Sequence, residues 1–132
     1  MSIAPKDIKH NTFYQDGLNG EQRVKEYYQS LGFTCLKIRY KTKYGELDLV
    51  FLKDDMLLFV EVKTRKSLKS GYDLITQKQM IRNSHAAQVF LSENESLMNC
   101  NMQFNLAVVV NNKVAHIYES AWEDMSDTEI GK

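Results

Sequence analysis

Two β-forming runs, Glu46 to Lys53 and Met56 to Thr64, are separated by nothing but Asp54-Asp55. Runs that close together fold back on each other as a hairpin, and this one feature constrains the middle of the chain more than any other. With the two aspartates as a two-residue turn, Lys53 pairs with Met56. Stepping outward from that pair, Asp48 is expected opposite Glu61 and Glu46 opposite Lys63. Side chains alternate faces along a strand, so Glu46 and Asp48 are expected on one face and Leu47, Leu49 and Phe51 on the other. In the second run Phe59, Glu61 and Lys63 share a face opposite Leu58, Val60 and Val62. Directly opposed carboxylates lie about 4.5 to 5.5 Å apart at Cβ and repel unless a cation stands between them.

The rest of the chain builds around this hairpin. Asn19 can cap a helix with Gln22 three residues on, and Val24, Tyr27, Tyr28 and Leu31 recur at helical spacing until Gly32 supplies a stop. A helix over residues 20–31 follows. In Phe33 to Tyr40, Leu36 and Ile38 alternate with Lys37 and Arg39, the pattern of a strand. Thr76 to Leu91 is long and rich in helix formers, and Phe104 to Val110 and Val114 to Tyr118 flank Asn111-Asn112-Lys113 as a second hairpin. The order α-β-β-β-α-β-β predicts an α/β protein with a mixed β-sheet, the long second helix crossing back over it. A length of 132 residues, a single proline and no linker-like composition after residue 16 give one domain. Its expected limits are residues 17–122, after an N-terminal extension 1–16 and before an acidic tail 123–132.

Seventeen Lys plus Arg balance seventeen Asp plus Glu, which excludes a polycation binding nucleic acid by bulk attraction. Distribution says more than the sum. Residues 37–69 carry nine basic and five acidic side chains, whereas the stretch from Glu119 carries five acids and one lysine. A basic centre fits a local anionic partner, although a solvated face produces such clusters as well. Cys35 and Cys100 stand alone, without the close Cys or His neighbours of a zinc site, and are expected to be reduced core thiols. His10, His85 and His116 have no ligand-like spacing. The first fourteen residues lack a signal-peptide core and no stretch approaches ~20 apolar residues, so a cytoplasmic protein without a membrane segment is expected.

Asp48, Glu61 and Lys63 form the pattern Asp-x(12)-Glu-x-Lys. Hard carboxylate oxygens suit Mg²⁺ or Mn²⁺, ions that keep several waters and meet one or two protein carboxylates plus substrate phosphate. A lysine beside such a pair can activate water and steady charge developing on phosphorus. An ordinary salt-bridged hairpin would carry the same three residues, so spacing alone decides little. Candidate phosphate contacts are Arg39, Lys41, Lys43, Arg65 and Lys66, with Lys78, Arg82 and His85 at one face of the second helix. Tyr40, Tyr44 and Tyr72 interleave with Lys41, Lys43 and Lys69 and could stack bases. Residues Ser67 to Tyr72 form a loop of unassigned role.

The strings Gly17-Leu-Asn-Gly-Glu21, Tyr44-Gly-Glu-Leu-Asp-Leu-Val50 and Phe59-Val-Glu-Val-Lys-Thr-Arg65 resemble the YraN-like family of bacterial proteins. That family is regarded as a branch of the PD-(D/E)XK endonucleases, similar to archaeal Holliday-junction resolvases. The resemblance runs from about Gly17 to Ala121. It implies a restriction-endonuclease-like αβββαβ core, and it implies Asp48 and Glu61 as acidic metal ligands, Lys63 as the catalytic lysine and Glu21 as a helix carboxylate reaching the same or a second metal. It further implies hydrolysis of DNA phosphodiester bonds, with branched or structured DNA among the substrates. The family pattern has lysine, asparagine and aspartate where this chain has Gln79, Tyr40 and Asn105. The competing expectation is a nuclease fold without turnover that binds nucleic acid or protein. The two-fold symmetry of a branched substrate implies a homodimer, with Phe104, Val108, Val110, Ile117, Tyr118 and Trp122 either as a candidate contact or as residues that complete the core against the second helix.

Overall fold

A computed structural model describes residues 5–68 and 74–130, with side chains from residue 18 onward. Its order is α1 (Pro5–Ser30), β1 (Thr34–Thr42), β2 (Gly45–Lys53), β3 (Met56–Arg65), α2 (Gln77–Ser92), a 3₁₀ turn (Glu95–Leu97), β4 (Asn101–Val110) and β5 (Lys113–Trp122). The five strands form one mixed sheet in the order β1-β2-β3-β4-β5, in which only β3 and β4 run parallel. The α2 crossover makes that parallel pair possible, since parallel neighbours need a long connection. The expected element order and α/β class are what the structure has.

Each helix covers one face of the sheet. On one side Val24 and Tyr28 of α1 pack with Leu49, Phe51, Leu58, Val60, Ala107 and Val109. On the other, Ala86, Ala87 and Phe90 of α2 meet Leu47, Val50, Phe59, Phe104 and Trp122. Burial on both faces explains why β3 and β4 read as near-continuous apolar runs rather than alternating ones.

The helix expected at 20–31 begins at Pro5 instead, so Gly17 and Gly20 lie inside it and Asn19 does not cap it. Packing overrides the local signal here. A side chain at position 20 would stand 2.7 Å from Thr64 Oγ1, so glycine lets α1 lie close against β3. The stop at Gly32 holds: with φ 93°, it donates to Gln29 O while Phe33 donates to Tyr28 O, both 3.0 Å, which is a Schellman ending.

The Asp54-Asp55 turn has two residues, with Lys53 opposite Met56 and Asp54 at φ 54°. In the second hairpin Asn111 and Asn112 both take positive φ, as a two-residue type I′ turn requires. The acidic segment after Trp122 folds back onto α2: Met125 N donates to Ser84 Oγ at 2.9 Å, and His85 Nε2 meets Thr128 O at 2.6 Å. Phe104, Val108 and Trp122 are buried core residues, 2%, 0% and 6% exposed, so half of the candidate dimer contact is spent inside the fold. Cys35 and Cys100 are free thiols, partly buried and packed against the edges of the two core clusters. Among the described residues no helix is long and apolar enough to cross a membrane.

Candidate metal and nucleic-acid site

The β2-β3 ladder follows the expected register from Lys53↔Met56 to Leu49↔Val60 and then stops. Asp48 and Glu61 are therefore not a ladder pair, and neither are Glu46 and Lys63. At that level Asp48 Oδ2 accepts from Val62 N at 2.8 Å. A side chain has taken the place of a backbone carbonyl, and the strands part around it. The simple alternation fails at the same point. Leu47 packs on the α2 side with Val50, three residues away, while Leu49 and Phe51 pack on the α1 side. Two residues on one face at odd separation require one slip, and since Leu49 packs on the opposite side it lies between Leu47 and Leu49. Across β1, Ile38↔Leu49 and Tyr40↔Leu47 leave Arg39 level with Asp48, and Arg39 has φ 48°. A non-glycine residue in the left-handed region costs of order 1–3 kcal/mol, and such strain collects at functional sites.

The parted strands bring the carboxylates together. Asp48 is largely buried and within hydrogen-bonding reach of Glu61; burial first, and Glu61 second, push its carboxyl up to about 8, against the opposing pull of Val62 N–H and the Lys63 ammonium. Beneath the pair, Phe59, Phe104 and Trp122 stack with successive centroids 5.3 Å apart and exclude water. Glu21 on α1 is half-buried, and its carboxyl is pushed up to about 7 by desolvation and then by Asp48, while Arg39 pulls it down. Arg39 Nε lies 4.0 Å from Glu21 Oε1. Among the described residues no three Asp, Glu, His or Cys side chains converge as a ligand set, so Glu21 stands beside the Asp48-Glu61 pair rather than in a triad with it.

Lys63 is half-buried and makes no salt bridge among the described residues. Its charge nevertheless reaches Asp48 and lowers the pKa of that carboxyl. The pair and the free lysine fit Mg²⁺ or Mn²⁺, which need only one or two protein carboxylates. Asp48 and Glu61 are the residues that would hold the ion.

One positioning residue escaped the sequence pattern. Asn83 of α2 is 8% exposed, and its Nδ2 donates to Glu61 Oε2 at 2.7 Å. Its signal was an asparagine, a poor helix former, three residues after Met80 and three before Ala86 on the apolar face of a helix. The three positions that depart from the family pattern have structural uses. Gln79 closes a capping box with Thr76 at the start of α2. Tyr40 packs edge-on against Phe90, and its hydroxyl bonds Glu93. Asn105, 2% exposed, donates to Tyr28 Oη at 2.9 Å and accepts from Gln103 and Ser120.

The remaining basic candidates gather at the end of the sheet where β3 terminates. Lys41 lies near the end of β1 and Lys43 in the β1-β2 turn, with Lys43 Nζ 5.1 Å from the Tyr44 ring centre and Tyr44 against His85 at 5.2 Å. Arg65 and Lys66 are exposed just past Lys63, and Lys78 and Arg82 lie on α2, with Arg82 beside Gly45. Carboxyl ends of parallel strands are where open α/β sheets bind ligands. Lys69, Gly71 and Tyr72 lie outside the described residues.

Comparison with known proteins gives relatives of similar length. The chain is 35% identical over 120 residues to a UPF0102 protein of Azorhizobium caulinodans, covering 91% of this chain and 92% of that one. It is 34% identical over 97 residues to one of Vibrio parahaemolyticus, covering 72% and 80%. With a third, from Nitrobacter winogradskyi, identity is 40% over 78 residues, covering 59% of this chain and 66% of that protein. The model of the family described as "Uncharacterised protein family UPF0102" matches residues 20–110, which include Glu21, Asp48, Glu61 and Lys63. The chain, as its YraN-like strings suggested, belongs to the UPF0102 family.

Proposed function

We propose that this protein is a divalent-metal-dependent endonuclease hydrolysing DNA phosphodiester bonds, with branched or structured DNA as first candidate substrates. The observation that carries this reading is the parting of β2 and β3, which sets Asp48 beside Glu61 in a desolvated site with Lys63 next to them. Buried like charges without a partner are costly, so a fold that keeps them has a use for a cation there. When bound, Mg²⁺ or Mn²⁺ would supply Lewis acidity to the phosphate and lower the pKa of water.

The chain's own groups do the rest. Asn83 holds Glu61 in one rotamer, and Val62 N–H does the same for Asp48. Lys63 donates to the attacking water or to a phosphoryl oxygen as charge develops there. Glu21, with its carboxyl near 7, can accept or return a proton at neutral pH. Arg65, Lys66, Lys41, Lys43, Lys78 and Arg82 carry the flanking phosphates.

The deciding assay is purified protein with Mg²⁺ or Mn²⁺ on duplex, single-stranded, flap and four-way DNA. Metal-dependent cleavage of any of these is expected; metal-independent binding without cleavage would leave a nucleic-acid-binding module instead. Replacing Arg65 and Lys66 with alanine should weaken binding and reduce the slope of log K against log salt by about one unit for each phosphate that the variant no longer neutralises. An unchanged slope would take these two residues off the DNA path.

Paired cuts in a two-fold substrate need two such faces related by a two-fold axis. A dimer is expected on four-way DNA by sedimentation, and a strict monomer would restrict the activity to nicking.

A further inference from the structure

The α2 face of the sheet has a second concavity beside the carboxylates. A cavity of about 570 Å³ lies between the start of α2 and the edge strand β5, and its walls include Ile75, Met80, Leu106, His116, Tyr118 and Glu119. Strand pairing relates it to the candidate site. Leu106 pairs with Glu61 on one side and Tyr118 on the other, and Val108 pairs with Lys63 and with His116. Two rows thus run from the acidic pair and its lysine across β4 to two aromatic rings on β5, a span of two strand spacings, or about 10 Å. Leu106, Val108 and Tyr118 pack on the α2 side, the same face as Phe59 and Glu61. Along the helix, Met80 precedes Asn83 by one turn, so a single face of α2 borders both concavities.

The lining has the chemistry of a base site. His116 and Tyr118 form an edge-to-face pair with centroids 4.2 Å apart, and both ring types stack on nucleobases. Ile75, Met80 and Leu106 give an apolar floor, and the exposed Glu119 offers an acceptor for an exocyclic amine. Among the described residues no lysine or arginine lines the cavity, whereas Lys63, Arg65 and Lys66 cluster at the other end of the rows. Charge therefore orients a nucleotide with its phosphate at Lys63 and its base toward β5. The volume falls in the range of about 300–1,000 Å³ usual for small-molecule pockets.

We propose that this cavity receives one unpaired nucleobase from the strand whose phosphate lies at Lys63, so that the substrate class is DNA with an unpaired nucleotide beside the cut. The inference rests on the nuclease reading for the position of the phosphate. A stacked, paired base must be extruded to enter, and extrusion costs least where pairing is already absent. Flaps, gaps and junction branch points meet that condition; uninterrupted duplex does not.

The test is methyl NMR of the intact protein titrated with dAMP and, separately, with deoxyribose 5-phosphate. The nucleotide should move the methyls of Ile75, Met80 and Leu106, and the sugar phosphate should not. A second measurement uses variants. His116→Ala and Tyr118→Leu, the latter keeping an apolar side chain on Leu106, should each weaken binding of a short single strand by about tenfold. One abasic nucleotide at the matching position should cost the parent protein the same factor and cost the variants nothing more. Unmoved methyls, equal shifts from the sugar phosphate, or undiminished affinity in both variants would overturn the proposal. The two readings fail separately. Nucleotide-specific shifts without any DNA cleavage would keep the base site and remove the nuclease; cleavage with unmoved methyls would do the opposite.

Discussion

Asp48→Asn should raise the stability of the metal-free protein at alkaline pH by roughly 2 to 3 kcal/mol and abolish its stabilisation by Mg²⁺ or Mn²⁺. The carboxyl of Asp48 sits at about 8 in the folded protein, against about 3.9 in an unfolded chain. The folded state holds this proton more tightly. Its contribution to stability is therefore fully present below about pH 4 and is lost as pH rises through about 8. Each tenfold difference in proton affinity is worth about 1.4 kcal/mol, and two such factors surviving local relaxation give the stated gain. Asparagine is neutral at every pH, and its Oδ1 can still accept from Val62 N, so the substitution removes the charge and keeps the bond that parts the strands. A metal ion competes with the same proton, so its affinity for the parent protein should rise with pH, with protons released on binding. For one site the stabilisation grows as RT ln(1 + [L]/Kd). Thermal melts across pH, with and without metal, measure all of this. A variant less stable than the parent at alkaline pH, or one that still responds to metal, would remove Asp48 from the site.

Glu21→Gln should show the same sign with a smaller amplitude, because its carboxyl reaches only about 7 and is partly offset by Arg39. The contrast separates a group at the centre of the charge cluster from one at its edge.

Legibility in the sequence followed the range of the interaction. The Asp54-Asp55 turn, the pairing of Lys53 with Met56 and the stop at Gly32 depend on neighbours in the chain, and each was readable from local residues. The start of α1 was not. Gly17 and Gly20 look like breakers until Thr64, more than forty residues on, is seen to occupy the space that a Cβ at position 20 would need. The same limit applies at the site. Counting along a regular hairpin put Asp48 opposite Glu61; the two side chains do come together, but not as a ladder pair. The ladder ends before them, Asp48 bonds Val62 N instead, and the slip that moves Leu47 to the α2 side cannot be read from alternation. Asn83 lay outside the reading altogether because its partner, Glu61, is on another element. Likewise composition marked residues 123–132 only as an acidic tail, whereas Met125 and Thr128 spend backbone groups on α2.

Lys63→Ala should lower metal-dependent cleavage by about a hundredfold or more while leaving DNA affinity within a factor of about two. The loss follows from its assigned work, since donors aimed at developing charge are typically worth about 10² to 10³ in rate. Affinity changes little because the proposed interface assigns the flanking phosphates to Arg65, Lys66 and the α2 cations, and one cation among several adds only a small increment. Lys63→Arg should fail to restore the rate, because a planar fork does not replace a compact ammonium at a half-buried position. The titration of Asp48 gives a readout that needs no substrate. Lys63 now pulls that carboxyl down against burial and Glu61, so the alanine variant should titrate Asp48 at higher pH and take up metal only under more alkaline conditions. NMR of the Asp48 carboxyl carbon, with single-turnover cleavage at saturating DNA, would test both halves. Full-speed cutting by Lys63→Ala would strip the lysine of its chemical role. An unmoved titration would show that its charge does not reach the pair.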